Sequence, residues 1–566
     1  MFTTFPAHYK DVLDWEWAQF KPYAHDLLSR DLNPETLSAW MQDNSDFSSM
    51  IYELRSRMHV ATTVDTTDEE ADRRYKAFMA HIFPEYMKVA FLLGKKLLES
   101  GLKPDNFDIP LRNIRAQVEL FREESLPLQT QESELGTAYN KIVGAQTVEW
   151  DGEEKTLSQM MPVFQETDRA RREQAWRLIE ERRLADQDTL NELWVQFMGL
   201  RKTIAHNAGL QNYREYAWRD RQRFDYTPED ALAFTDAIEQ VVVPAAARLS
   251  EKRRQQLGYD ALRPWDTQVD PLGRDPLRPF STVAVLAEKA ETIFQQVDPE
   301  LGEYFATMRR ESLLDLDNRK GKAPGGYCTS FPVEGRPFIF QNAVGLQGDV
   351  RTLLHEAGHA FHNFERANLR YLQQRFSPME FSEVASMAME LIAAPYLEAS
   401  KGGYYADADA NRARIDHLEG IIEFWPYMAV VVAFQHWIYT NHETATNPDK
   451  CDQKWNELWE RFMKGVDFSG LEQYIPNRWR RQLHIFRLPF YYVEYGLAQL
   501  GAVQVWANAL QDPAHALSQY RQALALGGTV TLPELYRTAG ARLAFDVATL
   551  GEAVSLIEKT LESLER

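Results

Sequence analysis

Apolar positions recurring every three to four residues run through most of this chain, the spacing of helices with one buried stripe. Residues 1 to about 140 read as helices broken at Pro34, Pro84, 101–104 and Pro127. The spacing then changes for one short stretch. Residues 147–150 and 153–157 flank Asp151-Gly152, a pair favoured in tight turns between antiparallel strands. Helical spacing returns from Glu166 to about Arg183, then over 193–208, 228–257 and 281–293, with a Pro-, Asp- and Arg-rich loop at 260–279. Between 311 and 348 it lapses again, into a glycine-rich loop at 319–328 and a short predicted strand at 337–342. Beyond lie predicted helices at 349–367, from Ser377 to just before Pro395, at 407–441 and 448–464, and a segment from Arg478 to Gln499. The pattern predicts a mostly α protein with a small β element before the helix at 349–367. A helical N-terminal region, 1–190, would carry the hairpin near 147–157. The remainder, 191–566, would carry the chemistry.

That chemistry begins at His355-Glu356-Ala357-Gly358-His359, which reads H-E-x-x-H within a predicted helix. Residues four apart share a helix face, so both imidazoles can reach one metal ion, and two neutral nitrogens suit Zn2+. Glu356 can act as general base on water at such a metal. A catalytic zinc takes three protein ligands and leaves one position open. His362 is the nearest further histidine. The longer H-E-x-x-H-x-x-G-x-x-H pattern fails, because His362 stands at its glycine and Glu365 at its third histidine. Downstream, Ser377-Pro378-Met379-Glu380 reads as a capping box with proline at the first helical position. The helix it opens carries Glu383 and Glu390 on one face, two turns apart, amid Met379, Val384, Met387, Leu391 and Ile392. A carboxylate beside such a face needs a partner. Glu383 as third ligand completes a His2Glu set for one zinc per chain, with Glu390 as partner of a ligand histidine.

Composition narrows the class. The 566 residues are 44% hydrophobic and 26% charged, ordinary for a globular chain with a large core. A net charge of −20 argues against phosphate backbones and anionic membranes, so neither nucleic acid nor membrane is an expected partner. Two cysteines, Cys328 and Cys451, form no disulfide framework, and the stretch Met1 to Pro6 lacks a leader pattern. A cytoplasmic location is the expectation. The longest apolar run, 424–434, contains Pro426, is too short to span a bilayer, and reads as a buried helix.

With these residues in place, the chain resembles the zinc oligopeptidases of the oligoendopeptidase F and thimet oligopeptidase group. The run from His355 to His362, followed about two dozen residues later by Glu383-Val384-Ala385-Ser386, carries the resemblance. It extends to Trp150-Asp151-Gly152, Asp168-Arg169, Ala175-Trp176, and the tail from 525–528 to Phe545-Asp546, covering roughly 147–566. The resemblance implies a two-lobed, gluzincin-like helical fold around a deep substrate channel. It implies a zinc-dependent endopeptidase that cuts internal bonds of short unstructured peptides. It implies that His484 and two tyrosines three apart, Tyr492 and Tyr495, donate to the developing oxyanion, with Tyr491 competing if the register slips by one. A glycine-rich loop with a tyrosine, then a strand, precede the zinc helix in that group, which makes Tyr327, Phe340 and Gln341 expected substrate contacts by edge pairing. Two rivals stand beside this reading. A helical zinc carboxypeptidase would need basic groups for a terminal carboxylate, and Arg478, Arg480, Arg481 and Arg487 lie near the tyrosines. A non-catalytic peptide-binding helical protein fits poorly with an intact motif that retains Glu356.

Overall fold

The computed structural model describes residues 5–565; Met1–Thr4 of the stretch read for a leader lie outside the described residues. The chain forms two compact units, each assembled from three stretches: 1–119, 277–414 and 498–543 in the first, 120–276, 415–497 and 544–566 in the second. The expected border at 190/191 falls inside the helix Gln187–Asn207 of the second unit.

In the first unit the long helix Leu37–Val64 buries Trp40, Phe47, Ile51 and Leu54 in a core shared with Phe20, Leu27, Tyr86 and Leu93. Pro84 does not break the chain as expected. Helix Glu69–Ala77 runs through a π turn, Phe78–Ile82, into helix Phe83–Ser100. The proline stands in the first turn of that last segment, where a missing N–H is tolerated, and the π turn absorbs the change of register. Gly101, at φ +66, ends the helix as read from the sequence.

The β element before the motif helix is a three-stranded sheet in the order β3-β5-β4 (β3 Leu314–Asp317, β4 Tyr327–Phe331, β5 Arg336–Ala343). The central strand, β5, pairs parallel with β3 and antiparallel with β4, with Ile339 opposite both Leu314 and Cys328. Phe338, Ile339 and Phe340 on this central strand are buried. The glycine-rich loop between β3 and β4 is pinned rather than loose. Its buried Lys322 Nζ donates to Asp315 Oδ1 at 2.9 Å and to the Gln341 carbonyl at 2.6 Å, and the Ala323 N–H donates to the Thr63 carbonyl at 2.8 Å.

The second unit holds the predicted hairpin, β1 (Thr147–Trp150) against β2 (Glu153–Thr156), with Trp150 opposite Glu153. Asp151 and Gly152 at φ +52 and +80 supply its left-handed turn. Its core is aromatic: Trp194 meets Trp479 edge-on at 5.1 Å, and Trp479 stacks on Phe486 at 5.6 Å. The helix Asp407–Thr440 is 34 residues long, and by length and composition it passes for a membrane span, more than the 424–434 run suggested. Its apolar window is 78% buried inside the protein, as in a core helix.

Candidate metal centre

The H-E-x-x-H motif sits on the helix Gln347–Arg366, one turn after β5. Gly345, at φ +92, turns the chain, and Asp349 Oδ2 accepts from the Val344 and Leu346 N–H groups at 2.8 Å each, fixing the helix start. One face carries Leu353, Leu354, Ala357 and Phe361 into the core, where Phe361 meets Phe294 edge-on at 4.9 Å. The other face presents His355, Glu356 and His359. The helix Met379–Ala393 packs against it. Its start differs by one residue from the reading of a capping box. Pro378 is the residue before the helix, and the Ser377 hydroxyl caps nothing: it is paired with His362 Nε2 at 3.0 Å. The buried His362 thereby turns away from the motif histidines.

Ligand atoms of His355, His359 and Glu383 lie within 4.8 Å of one another. His355 Nε2 and His359 Nε2 stand 3.4 and 3.6 Å from Glu383 Oε2. Tetrahedral zinc with bonds of about 2.1 Å spaces its ligands by about 3.4 Å, so these residues fit the ion. Glu390 accepts from His355 at Nδ1, 2.7 Å away, which leaves Nε2 for the metal. The seven-residue spacing thus puts both carboxylates on one histidine. Burial alone would pull His355 down, but hydrogen bonds to Glu383 and Glu390 and their charge push it well above its ordinary value. Burial pulls His359 down to about 4. Glu356 is buried beside them and pushed up to about 7, by burial first and then by Glu383 and Glu390, against the pull of His355 and of the nearby Cys328 backbone. Three carboxylates around two imidazoles make a cluster whose negative charge a divalent cation offsets.

Gly358, so far only a member of the motif run, has a role of its own. A Cβ there would stand 2.6 Å from both the Ala385 carbonyl oxygen and Ser386 Cα. Its absence lets the two helices approach closely enough to bring Glu383 to the histidines. A lone glycine inside a helical pattern was the available signal. Tyr520 secures the same point by donating its hydroxyl to the Ala385 carbonyl at 2.7 Å.

Of the expected substrate contacts, Tyr327 is half-buried, its hydroxyl 2.5 Å from Thr63 Oγ1 and its ring stacked on Phe340 at 4.9 Å. Phe340 is covered by that ring and fully buried, and Gln341 is buried with Nε2 donating to the Asp349 carbonyl at 2.8 Å. Both side chains serve the core in this structure. β5 is the central strand, so edge pairing is not open to it, whereas β4 is an edge strand.

His484 and the tyrosines belong to the second unit. The ring centroids of Tyr491, Tyr492 and Tyr495 lie 5.8, 4.9 and 5.9 Å from that of His484. The helix begins at Tyr492 rather than near Pro489, so Tyr491 is not turned away: its ring meets Tyr495 at 5.1 Å. Phe490, at φ +63, makes the preceding turn, a conformation bulky residues rarely adopt. It is held by Gln435, which accepts from its N–H at 3.1 Å, and by Arg223, which donates to its carbonyl at 2.6 Å. Gln482 donates to His484 Nδ1 at 2.8 Å, which leaves the ring proton on Nε2. Among the arginines of the carboxypeptidase reading, Arg480 is paired with Asp452 at 2.8 Å, while Arg478 and Arg481 share Glu180 with Arg183.

A family model described as Peptidase family M3 matches residues 163–553. An oligoendopeptidase F homolog of Borreliella burgdorferi is 22% identical over 587 aligned residues, covering 98% of this chain and 95% of that one. The solved structure of PZ peptidase A with an inhibitor superposes with a TM-score of 0.88 at 26% identity, covering 99% of this chain and 98% of the other. Oligoendopeptidase-F from Enterococcus faecium, at 16% identity and a TM-score of 0.63 over 99% of both chains, shares the fold.

Proposed function

The chain belongs to Peptidase family M3, and from that premise we propose that it is a zinc-dependent oligoendopeptidase acting on internal bonds of short, unstructured peptides. The observation that carries the reading is the cluster of His355, His359 and Glu383, whose ligand atoms have the spacing of a tetrahedral site. These three residues would hold the zinc, which supplies Lewis acidity toward a peptide carbonyl and toward water. Glu390 keeps the His355 proton on Nδ1, so that Nε2 offers its lone pair to the ion. Glu356 takes a proton from the attacking water and returns it to the leaving amine. The role of His484, Tyr492 and Tyr495 as donors to the oxygen of the attacked carbonyl rests on the family resemblance. Tyr327 and the edge strand β4 are the substrate contacts in this reading.

The test uses peptides blocked at both ends. A strong chelator should abolish their cleavage and stoichiometric zinc should restore it. Full activity of the metal-free protein refutes the zinc reading. Cleavage confined to peptides with a free C terminus, one residue at a time, replaces it with the carboxypeptidase. Glu356→Gln should keep one zinc per chain while cleavage falls by about 10²–10⁴-fold.

A further inference from the structure

A cavity of about 80 Å³ lies in the first unit, walled by Tyr52, Phe331, Leu372 and Phe376 and lined also by Arg366 and Arg375. It has room for roughly five waters, or for one carboxylate on a short stem. Neither arginine has a carboxylate in contact. Arg366 donates to the Asn363 side-chain oxygen at 2.7 Å; Arg375 donates to the Leu369 and Pro332 carbonyls at 3.1 and 3.2 Å. These acceptors are neutral, and a guanidinium has five N–H groups to satisfy. The third arginine of the lining, Arg336, is paired with Glu311 at 2.6 Å. Burial pulls Arg366 down to about 10, and the charge of Arg375 also lowers it. Asp46 acts on Arg375 only from a distance. Two cations turned into an apolar cavity without a counter-charge cost stability unless an anion joins them. Phe376, 44% exposed, stands at the rim.

The cavity is tied to the metal centre by two rulers. His359, Asn363 and Arg366 share one face of the motif helix, and seven residues of helix span about 10 Å. On β4, Cys328 lies beside Glu356, and Phe331, in the cavity wall, lies three residues on, again about 10 Å. An extended peptide covers that distance in about three residues. We propose that this cavity receives a carboxylate of the peptide substrate, about three residues from the bond that is cut, and that Arg366 and Arg375 hold it. The proposal rests on the peptidase reading above. The carboxylate is that of an acidic side chain or of the peptide's C terminus, which present the same chemistry to the two guanidiniums.

Two peptide panels separate the sources. In the first, peptides blocked at both ends carry one Glu, or Gln in its place, two to four residues to either side of the cleaved bond. In the second, peptides without acidic side chains end in a free carboxylate or an amide at the same distances. The charged member should be cleaved with kcat/KM about 10–100-fold higher at one position of one panel. In Arg366→Gln and in Arg375→Gln that ratio should fall to within about threefold of one, while Arg375→Lys, which keeps the charge, should retain part of it. Ratios within threefold throughout both panels for the unmodified protein, or a ratio that survives both glutamine variants, overturn the proposal. If no peptide is cleaved at all, the peptidase reading fails. Calorimetric titration of zinc-loaded Glu356→Gln protein with the same pairs then decides the cavity alone. Tighter binding of the charged member by tenfold or more sustains it, and equal binding overturns it.

Discussion

Gly358→Ala tests whether helix approach sets the metal site. The added Cβ would meet the Ala385 carbonyl oxygen at 2.6 Å, and an ordinary contact begins at 3.4 Å, so the two helices must part there by about 0.8 Å. Backbone on both sides leaves no flexible side chain to yield. The Glu383 oxygen then moves away from nitrogens that now stand 3.4 and 3.6 Å from it, beyond what zinc bonds with a tolerance of about 0.2 Å accept. Zinc binding must pull the helices back together against the overpacking, which costs about 1–3 kcal/mol, or about 5–150-fold in zinc Kd. Two effects oppose each other in the metal-free protein, since alanine favours the helix by about 1 kcal/mol over glycine. Its Tm should therefore change little, while the zinc-loaded Tm falls. Competition with a chromogenic chelator measures the affinity, and thermal unfolding with and without zinc separates the two states. Gly348→Ala is the control, because a Cβ there meets nothing within 4 Å. Zinc affinity of Gly358→Ala within twofold of the unmodified protein, with an unchanged loaded Tm, refutes the reasoning.

Other outcomes follow from the same contacts. Glu390→Ala removes the acceptor of His355 Nδ1 and should weaken zinc binding about 10–100-fold; an unchanged Kd in a metal-buffered titration contradicts that role. Tyr→Phe at 491, 492 and 495, made singly, should lower kcat about 10²–10³-fold at the position that donates to the oxyanion, with zinc content unchanged; no loss above about threefold at any of them excludes the phenols. His436 is buried against Trp218 and Phe490 with neither ring nitrogen hydrogen-bonded, and burial, with Arg214 and Arg223, pulls it down to about 3 from an ordinary 6.5. Below pH 6.5 the unfolded chain therefore binds a proton that the folded protein refuses, and stability falls with pH down to about 3. At pH 5 the loss is about 2 kcal/mol, and His436→Phe should remove it; identical pH dependence of Tm in both proteins between pH 7 and 5 counts against this account.

Spacing along the chain was enough to determine the local parts of this protein. A spacing of four from His355 to His359, and of seven from Glu383 to Glu390, places each pair on one helix face whatever the helices pack against, because helical periodicity is a property of the backbone. The Asp151-Gly152 turn is local in the same way, set by residues that tolerate positive φ. Peptidase family membership, too, was legible in the order of these few residues. What joins residues distant in sequence was decided only by the tertiary structure. Ser377 could cap its own helix or pair with His362, and packing chose His362. Phe340 and Gln341 sit on the strand expected to meet substrate, but β5 became the centre of its sheet and both side chains went into the core. Tyr491 joined Tyr495 because a strained turn at Phe490, held by Gln435 and Arg223, started the helix at Tyr492. Arg366 and Arg375, nine residues apart in sequence, come to one cavity without a carboxylate between them only through the fold. Periodicity fixes the direction in which a side chain points from its own helix, whereas its partner depends on the distance between elements, and that is settled by packing details as small as the missing Cβ of Gly358.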